Sequence, residues 1–196
     1  MNGAPRSGKS SIAAAIQKSF DGVWLNLGMD RYKQMIPEKY QPGIGLRPGG
    51  ETPGLEPLIV ELYGALYESI ALHSRLGINI VSDSAHHDWY SRPLNILPNC
   101  ARQLAGLPVL FVGIRCPIEV IMRRRIETWQ SGYLEDGSVP PPVLRWQEAV
   151  HRPGIYDMEA DSSLNNSEEI AEMIKNRLVE KEATAFKILA EMDGSG

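Results

Sequence analysis

Apolar positions change their period repeatedly along the chain, and each change marks an element. Ser10 to Phe20 (SSIAAAIQKSF) is Ala-rich behind small polar residues and predicts a helix. Val23 to Leu27 (VWLNL) is short, apolar and closed by Gly28, as expected of a strand. Leu58, Leu62, Leu66 and Ile70 place an apolar stripe on a second helix that Gly77 stops. Ile78 to Val81 predicts another strand, running into Ser82-Asp83. Arg92 to Leu104 predicts a helix interrupted at Pro98. Val109 to Ile114 (VLFVGI) is almost wholly apolar, the pattern of a strand buried on both faces. Helices are expected over Ile118 to Trp129 and Val143 to His151, with a last strand near Tyr156 to Ala160. The final helix has Asn165 as its cap, Glu168 three residues on, and a stripe of Ile170, Ile174 and Leu178.

Alternating strands and helices predict an α/β fold, a parallel sheet covered by helices on both faces. Ligands of such sheets bind beyond the carboxyl ends of the strands. Two segments break the pattern. Pro37 to Pro57 is too rich in Gly and Pro for regular structure, which leaves a substrate loop or a disordered segment. Gly132 to Pro142 (GYLEDGSVPPP) is a loop and, with the arginines before it, makes residues 123–142 a candidate lid.

Composition narrows the class. The 196 residues, 43% hydrophobic and 22% charged, suit a single domain, 1–196, with a real core. A net charge of −4 offers no basic excess for a nucleic acid. Two cysteines, Cys100 and Cys116, make no disulfide framework. No apolar run is long enough to cross a bilayer, and the opening residues lack the apolar stretch of a signal peptide. The expectation is a cytoplasmic protein without nucleic-acid or membrane partners, its oligomeric state left open.

The strongest chemical signal is Gly3-Ala4-Pro5-Arg6-Ser7-Gly8-Lys9-Ser10, which fits G-x-x-x-x-G-K-[ST] in full and leads into a helix. Its glycines let backbone N–H groups curl around phosphates, and the helix N-terminus adds its positive end. Lys9 is expected to reach the β- and γ-phosphates of ATP and Ser10 to hold Mg²⁺, with Ser11 closing the cradle. Such a motif should follow a buried strand, yet only Met1 and Asn2 precede Gly3. The first strand is therefore read as truncated, with the natural reading frame starting upstream.

Asp30 follows the strand VWLNL and suits either a base for an attacking hydroxyl or a helix cap. Asp83 closes the next strand and suits Mg²⁺ or substrate, or a turn. His86 and His87 come just after it, as the wall of an acceptor pocket or a surface turn. Arg123, Arg124 and Arg125 end a helix beside the candidate lid. One or two can offset charge on a moving phosphoryl group, and the helix dipole explains at least one.

The chain resembles the chloramphenicol phosphotransferases, small P-loop kinases that phosphorylate an antibiotic hydroxyl. The likeness rests on Asn2-Gly3 leading into GKSS, on Trp24-Leu25 with Gly28-x-Asp30, and on the Asp83 strand. It continues through Val112-Gly113-Ile114-Arg115-Cys116, Val150-His151 and Tyr156-Asp157-x-Glu159-x-Asp161. The resemblance implies that Lys9 and Ser10 bind Mg·ATP, that Asp30 is the base, and that Arg124 or Arg125 steadies the phosphoryl group. The family's Gly-Asp-Arg-like lid turn is replaced here by Glu135-Asp136-Gly137 and three prolines. Three readings follow: a kinase of a hydroxylated antibiotic, chloramphenicol the candidate; a kinase of an ordinary metabolite; and a non-catalytic nucleotide-binding paralogue.

Overall fold

A computed structural model describes residues 1–180 and 182–192, so the single-domain expectation over 1–196 extends slightly outside the described residues. It shows a mixed α/β protein with small parallel sheets. Strands β1 (Trp24–Asn26) and β2 (Asn79–Val81) pair in parallel, as do β3 (Val112–Arg115) and β4 (Met158–Asp161). Between the two pairs runs a stub of chain. Asn2 bridges Ser84 on one side and Gly113 on the other, in parallel with both. Its N–H donates to Val112 O at 2.8 Å, and its carbonyl accepts from Ile114 N at 2.7 Å. On the other side Ser84 N donates to Met1 O at 3.0 Å and the Met1 ammonium to Ser82 O at 2.7 Å. Burial holds that amine's pKa down at about 6.

The Asn2 side chain, 1% exposed, extends the stitch. Its Nδ2 donates to Val150 O at 2.7 Å and to the Tyr156 hydroxyl at 3.0 Å, and its Oδ1 accepts from His86 N at 2.7 Å. Gly113 has to be glycine because the Tyr156 ring lies 2.8 Å from where a Cβ would stand.

Helices cover both faces of the strands. On one, α1 (Lys9–Ser19) and α7 (Ser167–Glu180) pack Ile12, Ile16, Ile170 and Ile174 against Val81, Val112 and Ile114. The alanines at 13 and 15 are buried and let α1 approach closely. On the other face, α3 (Glu56–Arg75), α4 (Ile96–Gln103) and α8 (Ala185–Glu191) enclose Ile59, Tyr63, Leu66, Tyr67, Cys100, Phe111 and Phe186. A third cluster of Cys116, Ile121, Met122, Val143 and Val150 lies under α5 (Ile118–Trp129) and α6 (Pro141–Ala149). Both cysteines are free and buried. No helix among the described residues is long and apolar enough to cross a membrane.

Several expectations shift. The stripe of α3 is centred one residue later: Ile59, Tyr63, Leu66 and Ile70 are buried, whereas Leu58 and Leu62 are half-buried. Pro98 does not interrupt α4. It stands in the first turn, where its missing N–H had no intrahelical partner to lose. The cap of α7 is Asn166 with Glu169, each side chain accepting from the other's N–H at 2.9 and 2.8 Å, one residue beyond the expected pair. The α8 helix was not expected. Residues 37–57 contain three single 3₁₀ turns. They are pinned by Gly49 N to Trp89 O at 2.8 Å, by His87 against Leu46 O, and by an Arg145–Glu51 ion pair.

Replacing Asn2 with Ala leaves the buried His86 N–H unpaired and releases Val150 and Tyr156. The expected cost is about 3 kcal/mol, or roughly 6–12 °C in Tm, checked by thermal unfolding against Asn99→Ala on exposed α4 surface.

Candidate functional site

The turn from Gly3 to Ser10 begins where the stub leaves the sheet, at the carboxyl end of the strands. Arg6 and Gly8 take positive φ angles of 68° and 93°, which curls the backbone into a concave nest capped by α1. Gly3 is held tightly, since a Cβ there would stand 2.5 Å from Ile114 O. Lys9 lies along the inside of the turn, 8% exposed, its Nζ donating to Gly3 O at 2.8 Å and Ala4 O at 2.9 Å. Burial pulls its pKa down to about 8, against the raising effect of Asp83 and Asp30. The ammonium therefore stays mostly charged at neutral pH while only two carbonyls face it.

Around this turn is an open cavity of about 560 Å³. Pro5, Arg6, Gly8, Lys9, Ser10 and Ser11 line it, and Asp30, Asp83 and Arg124 reach it from other elements. Ser10 Oγ donates to Asp83 Oδ2 at 2.8 Å, which couples α1 to the end of β2. Asp83 is pressed against Gly28, where any Cβ would overlap its Oδ1. Asp30 occupies the first turn of α2 (Met29–Gln34), 77% exposed and paired with Lys33 at 2.6 Å. Gly28, not Asp30, is the N-cap of that helix.

The three arginines separate. Arg123 is exposed. Arg124 is a strut: it donates to Arg6 O at 3.2 Å, Ser162 Oγ at 3.0 Å and Ser162 O at 2.7 Å, tying the turn to the end of β4. Arg125 donates to Ser131 Oγ at 3.1 Å and lies beside Trp129, over which Arg6 also stacks at 3.8 Å.

Neither histidine lines this cavity. His86 is 2% exposed in the core, its Nε2 2.7 Å from the Tyr67 hydroxyl and its ring packed on Tyr63. His87 packs between Tyr90 and Trp146, with Leu46 O 3.0 Å from Nε2 and Trp89 N donating to Nδ1. Both ring nitrogens of His87 are thus engaged within the fold. Residues not anticipated do reach the cavity: Thr128, Trp129, Ser162, Asn165, Asn166 and Ser167. The short polar run after Asp161, directly following a strand, was the available signal.

The residues fit a nucleotide phosphate and its metal. Arg6 Nε and Ser7 Oγ are buried donors without a hydrogen-bond partner among the described residues, both on the turn. Ser10 Oγ and Asp83 Oδ2 make an adjacent pair of hard oxygen ligands, suited to Mg²⁺, which takes its other ligands from phosphate and water. Among the described residues no cluster of three or more His, Cys, Asp and Glu forms a self-sufficient metal cage.

The sequence of residues 1–179 matches the chloramphenicol phosphotransferase-like protein family. The chain belongs to that family. Two strains of Mycobacterium tuberculosis carry a relative called "Putative O-phosphotransferase", 24% identical over 188 residues, covering 87% of this chain and 77% of the relative. The tunicamycin resistance protein of Deinococcus radiodurans has a similar fold, with a TM-score of 0.57 at 17% identity. That match covers 93% of this chain and 95% of the other. In this family member Pro5, Arg6, Gly8, Lys9, Ser10, Ser11, Asp30, Asp83 and Arg124 line one cavity, whereas Gly3, Ala4, Ser7 and Arg125, also expected at the site, do not line it.

His86 gives a stability signature. Burial is the main cause that lowers its pKa to about 3, with the Met1 amine and His87 adding to it. The folded chain refuses a proton that the unfolded chain binds below about pH 6.5. Stability from this group is therefore complete above pH 6.5 and falls towards pH 3 by about 1.4 kcal/mol per pH unit. His87 and His151, both lowered to about 4, act in the same direction. Urea unfolding of His86→Gln between pH 4 and 6.5 should show a slope smaller by about one proton; an unchanged slope would place His86 outside the core.

Proposed function

We propose that the chain is a kinase that moves the γ-phosphoryl group of Mg·ATP to a hydroxyl of a small molecule. The observation that carries this reading is the convergence of Lys9, the Ser10–Asp83 pair and Asp30 on one cavity, beneath a turn with unpartnered buried donors. The relatives' names support phosphoryl transfer to oxygen, and those of the family and the Deinococcus structure support a hydroxylated antibiotic as acceptor. Chloramphenicol is the first candidate.

In this scheme Lys9 turns from the carbonyls of Gly3 and Ala4 to the phosphate oxygens, and the N-terminal N–H groups of α1 donate to them as well. Ser10 and Asp83 would hold Mg²⁺, which would supply positive charge to offset that on the phosphate oxygens. Asp30 exchanges Lys33 for the acceptor hydroxyl and takes its proton. The acceptor oxygen forms the new bond to the γ-phosphorus as the bond to the bridging oxygen breaks, and ADP leaves. Arg124 keeps the turn in place from the far side. Arg125 and Arg6, flanking Trp129, stand ready to meet charge that develops on the equatorial oxygens. Closure of residues 123–142 over the cavity belongs to the same proposal.

Asp30→Asn should lower kcat by about 10²–10⁴ with Kd for Mg·ATP within twofold. Equal loss of both assigns Asp30 to structure, and unchanged turnover removes it from catalysis. Gly28→Ala tests the neighbouring carboxylate. Its methyl group displaces Asp83, so the Mg²⁺ requirement should rise at least tenfold while Asp30 remains intact. A chain that binds Mg·ATP but turns over no hydroxylated acceptor is the paralogue rather than the kinase.

A further inference from the structure

Three arginines near the candidate site, Arg6, Arg47 and Arg125, belong to no ion pair among the described residues. Arg6 comes from the Gly3–Ser10 turn, Arg47 from segment 37–57 and Arg125 from α5. Arg6 stacks over Trp129 at 3.8 Å and Arg125 lies 5.2 Å from the same ring, so two guanidinium groups share one indole as a platform. The Nε atoms of both are buried and make no hydrogen bond among the described residues. Arg47 is exposed, on backbone that is fixed on either side of it. Leu46 O lies 3.0 Å from His87 Nε2, Gly49 N donates to Trp89 O at 2.8 Å, and Arg145 lies against Gly49 while pairing with Glu51. Burial, and after it the charge of a neighbour, lowers two of the pKa values: Arg125 acts on Arg6, and Arg47 on Arg125. Asp30, which draws the Arg6 pKa upward, already holds Lys33.

Guanidinium groups keep their charge in proteins, so a gathering of them is costly until an anion joins it. The nucleotide does not account for all three. Arg6 lines the cavity around the turn, whereas Arg47 and Arg125 do not. We propose that Arg47 and Arg125 form an oxyanion site for the acceptor, which therefore carries a carboxylate or phosphate group besides the hydroxyl it presents to Asp30. This deepens the proposed phosphoryl transfer and rests on it. The planar fork of each guanidinium suits two oxygens of such a group. Arg125 has donors enough to serve the acceptor's anion and, with Arg6, the transferred phosphoryl group. Arg47 meets the acceptor alone. An uncharged antibiotic such as chloramphenicol leaves this site unfilled.

The experiment titrates inorganic phosphate into the chain by calorimetry at constant ionic strength. The nucleotide site is first filled with Mg²⁺ and AMPPNP, an ATP analogue that resists hydrolysis, so that phosphate cannot bind there. A single phosphate should bind per chain. Arg47→Gln and Arg125→Gln should each weaken it by about tenfold or more, and Arg75→Gln, at the exposed end of α3, should leave it within about twofold. No bound phosphate, or equal binding by a folded Arg47→Gln chain, overturns the proposal. Acetate is then added in competition. Acetate that displaces phosphate adds carboxylates to the acceptor class, and acetate that does not narrows the class to phosphate esters; either result supports the anion site. If the chain takes up no AMPPNP, the kinase reading fails, and phosphate is titrated into Lys9→Ala without nucleotide. Binding there that Arg47→Gln removes supports the anion site on its own, and binding that Arg47→Gln leaves unchanged, or none, overturns it.

Discussion

The structure hangs on Asn2. Its backbone is a two-sided bridge between β2 and β3, and its side chain reaches the end of α6, Tyr156 and the His86 peptide. Without it the β1–β2 pair and the β3–β4 pair have no strand contact among the described residues. A buried side chain with every hydrogen bond made is worth more than the sum of its bonds, because each partner is also buried and costly to leave open.

The same junction sets the site. Gly3 leaves the sheet directly after Asn2, so whatever fixes Asn2 fixes the start of the Gly3–Ser10 turn. Ile114, whose N–H holds Asn2, also limits Gly3 to a residue without a Cβ. From the other end Arg124 ties Arg6 to Ser162. The turn is thereby held at both ends, and Lys9 is stored inside it on the carbonyls of Gly3 and Ala4. Rigid support around a polar hollow is the preorganisation that phosphoryl transfer relies on, since the reaction asks for positioning and charge more than covalent chemistry.

How much of this the sequence disclosed depended on the range of the interactions. Local patterns read well: α5 runs over Ile118–Trp129 as its periodicity predicts, and the glycines at 3 and 8 adopt the tight turn their spacing implies. Long-range bonds did not. Asn2 and Val150 are 148 positions apart, and nothing in an Asn near a terminus announces a central hydrogen-bond hub. His86 and His87 follow the ligand side of a strand, which suits a pocket wall or a surface turn; His87 lines a second cavity with Asp88, Trp89 and Arg152, away from the Gly3–Ser10 turn. Tyr67 and Asn2 draw the first into the core, and Tyr90 and Trp146 hold the second. Residues 37–57 looked shapeless by composition, but anchoring on 87–91 orders them through contacts that no local pattern encodes. Strand β3 starts only at Val112 because Val109 and Leu110 line a cavity instead of pairing along a neighbouring strand.

The central claim is that the turn beginning at Asn2 is a working phosphate cradle. The most direct test is calorimetric titration of the chain with ATP, with and without Mg²⁺, alongside Lys9→Ala. The account predicts metal-dependent binding that the substitution abolishes in a protein still folded. Folded chain that binds no Mg·ATP, or binds it equally well with Ala at position 9, would contradict it.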